Sequence, residues 1–193
     1  MKGALLFVLG AVCGLAVMAG PRVFAHLQGL LQGSQDGGGF GAGRVHTEEK
    51  FAFTAKAPME IVAPLFGADK ERVWSPGWKP QFIHPLPAAD EAGMVFAVAH
   101  SHLRAAWVNT EFDLKDGRIQ YVYMIPDALV TVITLRLTRD GKQTRVEVAY
   151  DRTALSADAD SHVRHMAEGD KSSGPDWEKQ VNEYLARSGV GSQ

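Results

Sequence analysis

Apolar and polar residues alternate most regularly between residues 107 and 151, on either side of two Asp-Gly pairs, Asp116-Gly117 and Asp140-Gly141. Strict alternation predicts half-buried strands. Asp-Gly between two such runs predicts a hairpin with a two-residue turn, because both turn positions require φ > 0. Counting outwards from Asp116-Gly117 sets Leu114, Phe112, Thr110 and Val108 opposite Ile119, Tyr121, Tyr123 and Ile125. From Asp140-Gly141, Leu137, Leu135, Ile133 and Thr131 fall opposite Thr144, Val146, Val148 and Tyr150. The other parity holds mostly polar residues, including Asn109, Glu111, Gln120, Thr134, Arg136, Arg145 and Glu147. A slip of one residue would exchange the faces. The pattern therefore predicts an antiparallel sheet with one covered face and one wet face.

The flanking segments supply the cover. Residues 48–56 alternate with Phe51 and Phe53 on one side and read as a first strand. Pro58 opens a short helix with Ile61, Val62, Leu65 and Phe66 as its buried stripe; Gly67 interrupts it, and a second short piece runs over 68–73. A turn-rich loop, 74–80, carries Trp74 and Trp78, and strands are expected over 82–86 and 94–102. A helix over 156–166 is expected to break at 169–174 and restart at Pro175-Asp176. Trp177, Val181, Tyr184 and Leu185 then form one apolar stripe at helical spacing. Helices gathered on one face of an antiparallel sheet make an α+β domain. A curved sheet wrapped around its C-terminal helix leaves a cavity suited to small apolar molecules.

Residues 3–20 are uncharged and mostly apolar behind Lys2, which predicts a signal peptide ending after Ala19 or Ala25; an uncleaved N-terminal membrane anchor is the competing reading. The expected organisation is a segment 1–25, a Gly-rich linker 26–46, one ligand-binding domain 47–188 and a tail 189–193. That places the domain in the periplasm or outside the cell, or tethered to a membrane. Membrane contact is expected only if the N-terminal segment stays uncleaved. A net charge of −2 with dispersed basic residues gives no case for nucleic acid. Cys13 is the only cysteine, so no disulfide or thiolate metal site is available within the domain.

The order of elements resembles the START/polyketide cyclase-like (SRPBCC) superfamily over roughly residues 47–187. The stretches that carry the resemblance are Ala57-Pro58-Met59-Glu60-Ile61-Val62, Trp74-Ser75-Pro76-Gly77-Trp78, Tyr150-Asp151-Arg152-Thr153-Ala154-Leu155 and the Trp177 helix. The resemblance implies a helix-grip fold: a curved antiparallel sheet wrapped around a C-terminal helix, with two short helices after the first strand. It implies a pocket and leaves the reaction open, since the superfamily holds lipid carriers, hormone receptors, aromatase/cyclases and co-chaperone domains. The break at 169–174 departs from the superfamily's long helix.

Candidate chemistry is sparse. His100 and His102 share a face of a predicted strand, with His84 or Glu111 as distant third ligands, and no metal site or other cofactor is assigned to them. His162 and His165 read as solvated, Glu111 lies on the polar parity, and no serine has a positioned base. No catalytic residue is assigned. The dry parity is more informative, because Tyr121, Tyr123, Tyr150, Thr110 and Thr131 bring hydroxyls to it, and a buried hydroxyl needs a partner. Ligand, water or backbone would serve. The expected pocket is lined by Thr110, Phe112, Tyr121, Tyr123, Thr131, Ile133, Val148, Tyr150, Trp177 and Val181, with Trp74 and Trp78 at its mouth or anchoring their loop. The expected function is binding of a hydrophobic small molecule or lipid. A cyclase- or dehydratase-type enzyme acting on a polyketide-like or aromatic substrate in the same pocket is the alternative.

Overall fold

The computed structural model describes residues 43–100 and 103–189, His100 by its backbone only. The segment 1–25, most of the linker, His102 and residues 190–193 lie outside the described residues. Seven antiparallel strands form one sheet: β1 (His46–Ala55), β2 (Gln81–His84), β3 (Val95–His100), β4 (Leu103–Asp113), β5 (Arg118–Ile125), β6 (Leu129–Asp140) and β7 (Gln143–Ala154). Their spatial order is β1-β7-β6-β5-β4-β3-β2. A short helix, α1 (Met59–Val62), and two 3₁₀ turns, Ala63–Phe66 and Lys70–Val73, follow β1. Helices α2 (Asp160–Ser172) and α3 (Gly174–Ser188) close the chain. No helix among the described residues is long and apolar enough to cross a membrane.

The faces of β6 and β7 match the alternation. Leu129, Thr131, Ile133, Leu135 and Leu137 are buried on β6, as are Thr144, Val146, Val148, Tyr150, Arg152 and Ala154 on β7. The register differs by two residues: Ile133 pairs with Tyr150, and Leu135 with Val148. The turn consists of Gly141 and Lys142, because only Gly141 has positive φ (60°) and Asp140 stays in the ladder opposite Gln143. Glycine at the first of two turn positions is the type II′ arrangement. A two-residue shift preserves parity, so the faces survive the changed register.

The first hairpin departs further. Phe112 pairs with Ile119 across a four-residue loop, in which Asp113 Oδ1 accepts the Asp116 amide at 3.0 Å. A bulge between Asn109 and Glu111 then shifts the ladder by one residue, so that Asn109 pairs with Tyr121 and Trp107 with Tyr123. The extra residue inverts the faces beyond it. Trp107 and Asn109 point inward, while Val108 and Thr110 are exposed. Thr110 therefore does not line the interior: its hydroxyl meets Gln120 on the wet face, at 2.9 Å from the amide oxygen. Phe112 is only half-buried.

The C-terminal helix is interrupted at Ser173 alone. Residues 169–172 stay helical, the Gly169 carbonyl accepting the hydroxyls of Ser172 and Ser173 at 3.0 and 2.8 Å. Pro175 opens α3, where a missing N–H leaves no bond unmade.

Candidate functional site

The dry face is covered by two layers of side chains. Over β1 and β7, Trp177 of α3 packs on Phe51, Phe53, Phe66 and Trp74, with ring centroids 5.4 to 6.2 Å apart. Over β3, β4 and β5, Trp78 stands edge-on to Phe96 and Trp107. Trp107 stacks on Tyr123 at 4.3 Å. Trp74 and Trp78 are thus buried wedges, not exposed rims. Their indoles donate to the Leu65 and Ala68 carbonyls at 2.6 and 2.7 Å, pinning their own loop.

The tyrosine hydroxyls divide. Tyr121 donates to the Phe66 carbonyl at 2.9 Å, joining the sheet to the 3₁₀ segment. Tyr123 contacts Arg152, whose guanidinium also donates to Thr131 at 3.0 Å and lies 4.7 Å from the Tyr150 ring centre. The same guanidinium grips Asp170 of α2 at 2.7 and 2.8 Å. This buried cluster occupies the outer end of the expected lining. Burial pushes the Asp170 carboxyl above its ordinary range, outweighing the Arg152 hydrogen bond and charge that favour ionisation. Ile133, Val148, Trp177 and Val181 are all buried where the pattern placed them.

Several interior side chains carry buried polar atoms without partners among the described residues. Asn109 is fully buried, and neither its Oδ1 nor its Nδ2 meets a partner among the described residues. The indole nitrogens of Trp107 and Trp177 are likewise buried and unpaired. Glu71, on the second 3₁₀ turn, is 4% exposed with Oε1 unpaired. Desolvation drives its carboxyl well above the usual range; the Ser75 hydrogen bond opposes this, and the charge of Asp90 adds to it. Tyr121 and Tyr150 both feel the Glu71 charge, though burial dominates their own upward shifts. Buried polar groups nearly always have a partner, so each of these atoms calls for one, such as water or a ligand.

Neither Asn109 nor Glu71 belongs to the lining expected from sequence. For Asn109 a signal exists: apolar parity changes from Ala105 and Trp107 to Phe112 and Leu114, which requires a bulge between them. For Glu71 no pattern serves, since its turn is too short for periodicity. Arg152 was legible as a charge continuing the buried parity of Val148 and Tyr150.

The wet face carries two lesser features. A groove of about 520 Å³ is lined by residues including Lys50, Arg136, Arg145 and Glu147, two of its cations being paired: Arg136 with Glu111, and Arg145 with Glu147. His46, Glu48 and Asp151 bring their ligand atoms within 4.8 Å of one another at the β1–β7 edge, in the open.

The chain has the helix-grip fold: a curved antiparallel sheet of seven strands with helices at its C-terminal end. Solved structures share it. Norcoclaurine synthase from Thalictrum flavum, solved with dopamine and hydroxybenzaldehyde, is 8% identical over 75% of this chain and 88% of its own, with a TM-score of 0.56. Ara h 8.0201 is 10% identical over 74% of this chain and 99% of its own, with a TM-score of 0.53. Mll3558 from Rhizobium loti is 20% identical over 72% and 99%, with a TM-score of 0.51. These likenesses show the fold alone. No family model matches the chain, and no curated protein matches it by sequence.

Proposed function

We propose that the protein binds a small molecule with an apolar body and one polar group, held between the sheet's dry face and α3. The observation that carries this reading is Asn109: a fully buried amide with both ends unpaired, opposite Tyr121 in the ladder. Such an amide costs roughly 1–3 kcal/mol unless something fills its hydrogen bonds. A guest with a ring or acyl body meets the walls, and its polar atom meets the amide. Residues 1–25 would carry the domain out of the cytoplasm or hold it at a membrane.

A second reading is an enzyme of cyclase or dehydratase type in the same interior. Glu71 favours it, because a desolvated carboxyl whose pKa is raised by burial holds its proton more readily and is suited to general acid–base work. Native mass spectrometry of the freshly purified protein, with titration of a naphthalene-type fluorescent probe, tests the binding reading. Co-purified small molecules or saturable uptake of the probe supports it. A protein that carries nothing and takes up no apolar probe refutes it.

A further inference from the structure

The second 3₁₀ turn is inside out. Of its four residues, Lys70 and Arg72 are exposed, Val73 is 45% exposed, and Glu71 is buried at 4%. Apolar burial alone would bury the valine and expose the acid, so the turn holds an acid inside against the solvation preference of both side chains. Sites that break a local rule in this way are expected to be functional.

The interior then has one acid too many. Arg152 is a buried cation, and Asp170 already takes it through two hydrogen bonds. Asp90, beside the turn, accepts the Asp69 and Lys70 amides and adds negative charge. No basic side chain among the described residues pairs with Glu71; its Oε1 is unpartnered, and only the Ser75 hydroxyl serves the carboxyl. Tyr121 and Tyr150 lie within reach of its charge. Trp74, three residues on, packs against Phe66 and Trp177 at 5.7 and 5.5 Å. The interior thus has an unmatched carboxyl and aromatic faces, the two features that attract an organic cation.

We propose that the guest carries a protonatable nitrogen on an apolar, ring-containing body, and that Glu71 is its counter-ion. The proposal rests on the interior being the binding site and names the class of molecule it takes. Asn109 then serves a second, neutral polar point on the guest.

The experiment compares three probes of one shape, naphthylmethylamine, naphthylmethanol and naphthoate, by calorimetry against the wild type and Glu71→Gln. In the wild type the amine binds about tenfold or more tightly than the alcohol, and naphthoate binds worst. In Glu71→Gln, which keeps the side chain's shape, the amine loses its advantage over the alcohol. An alcohol that binds the wild type as well as the amine overturns the proposal and leaves the binding site standing. So does an amine preference that survives Glu71→Gln. If none of the three probes binds the wild type, the interior is not the site, and the proposal falls with it. The wild-type comparison needs no variant, so a poorly folding Glu71→Gln does not shield the claim.

Discussion

Arg152 on β7 and Asp170 on α2 meet through two parallel hydrogen bonds of 2.7 and 2.8 Å, with both residues at most 5% exposed. The pair is the polar rivet between the sheet and the first half of the C-terminal helix. Removing one partner strands a charge in the interior, so Asp170→Asn is expected to destabilise by about 3–5 kcal/mol in urea melts. Arg152→Met combined with Asp170→Leu is expected to recover most of that loss. A double variant no more stable than the single one contradicts this account.

Asn109 sets stability against binding. Asn109→Leu removes two unpaired polar atoms from a fully buried position, so the variant is expected to be more stable than the wild type by about 1–3 kcal/mol. The same change removes a hydrogen-bonding point from the proposed site, so naphthalene probes carrying an oxygen are expected to bind more weakly. Denaturant melts and probe titrations on one preparation check both halves. Loss of stability would mean that the amide is satisfied within the fold.

Glu71 leaves a signature in the pH dependence of folding. Its carboxyl is held well above the ordinary 4.5, by burial first and by Asp90, against the Ser75 hydrogen bond; Tyr121 and Tyr150 face it from the sheet. A carboxyl raised in the fold binds more protons folded than unfolded. Its contribution is therefore fully present below its unfolded value and is lost as pH climbs through the folded one. Relative to Glu71→Gln, the wild type is expected to lose stability as pH climbs from about 4 towards 8. A difference that stays flat across that range would show that Glu71 is solvated.

Two hairpin glycines are expected to differ. Gly117 and Gly141 both have positive φ, 66° and 60°. A Cβ on Gly117 would stand 2.3 Å from the Leu137 carbonyl oxygen, whereas one on Gly141 meets nothing within 4 Å. Gly141→Ala is expected to cost about 1–3 kcal/mol, the cost of holding a side chain in a sparsely populated positive-φ conformation. Gly117→Ala adds a backbone clash and is expected to cost more. Thermal melts of the two variants give the order directly.

The faces of the sheet were legible in the sequence because alternation reports parity, and parity survives a two-residue shift. Leu135, Ile133 and Thr131 are buried although their partners differ from those counted. The partners were not legible, because Asp-Gly does not say which residue takes positive φ first; at 140–142 it is the glycine. Where a bulge adds one residue, parity itself fails, which is why Thr110 and Asn109 exchange places. The proposed interior site was the least legible part. Trp177, Tyr150 and Ile133 follow from periodicity, but Glu71 is buried by tertiary packing against the preference of its own side chain.

The two halves of the C-terminal helix also fasten the sheet's edge. Asp160 of α2 takes the Val45 amide at 3.0 Å, just before β1 begins. Asn182 of α3 takes the Lys56 amide at 2.8 Å and donates to the Thr54 carbonyl at 2.9 Å, where β1 ends. An outermost strand is ordinarily the first to fray. This one is buttoned at both ends by different helices, so it peels away only when both let go. Edge, helices and the rings between them should open as one unit, and amide hydrogens along β1 should exchange in step with those of α3.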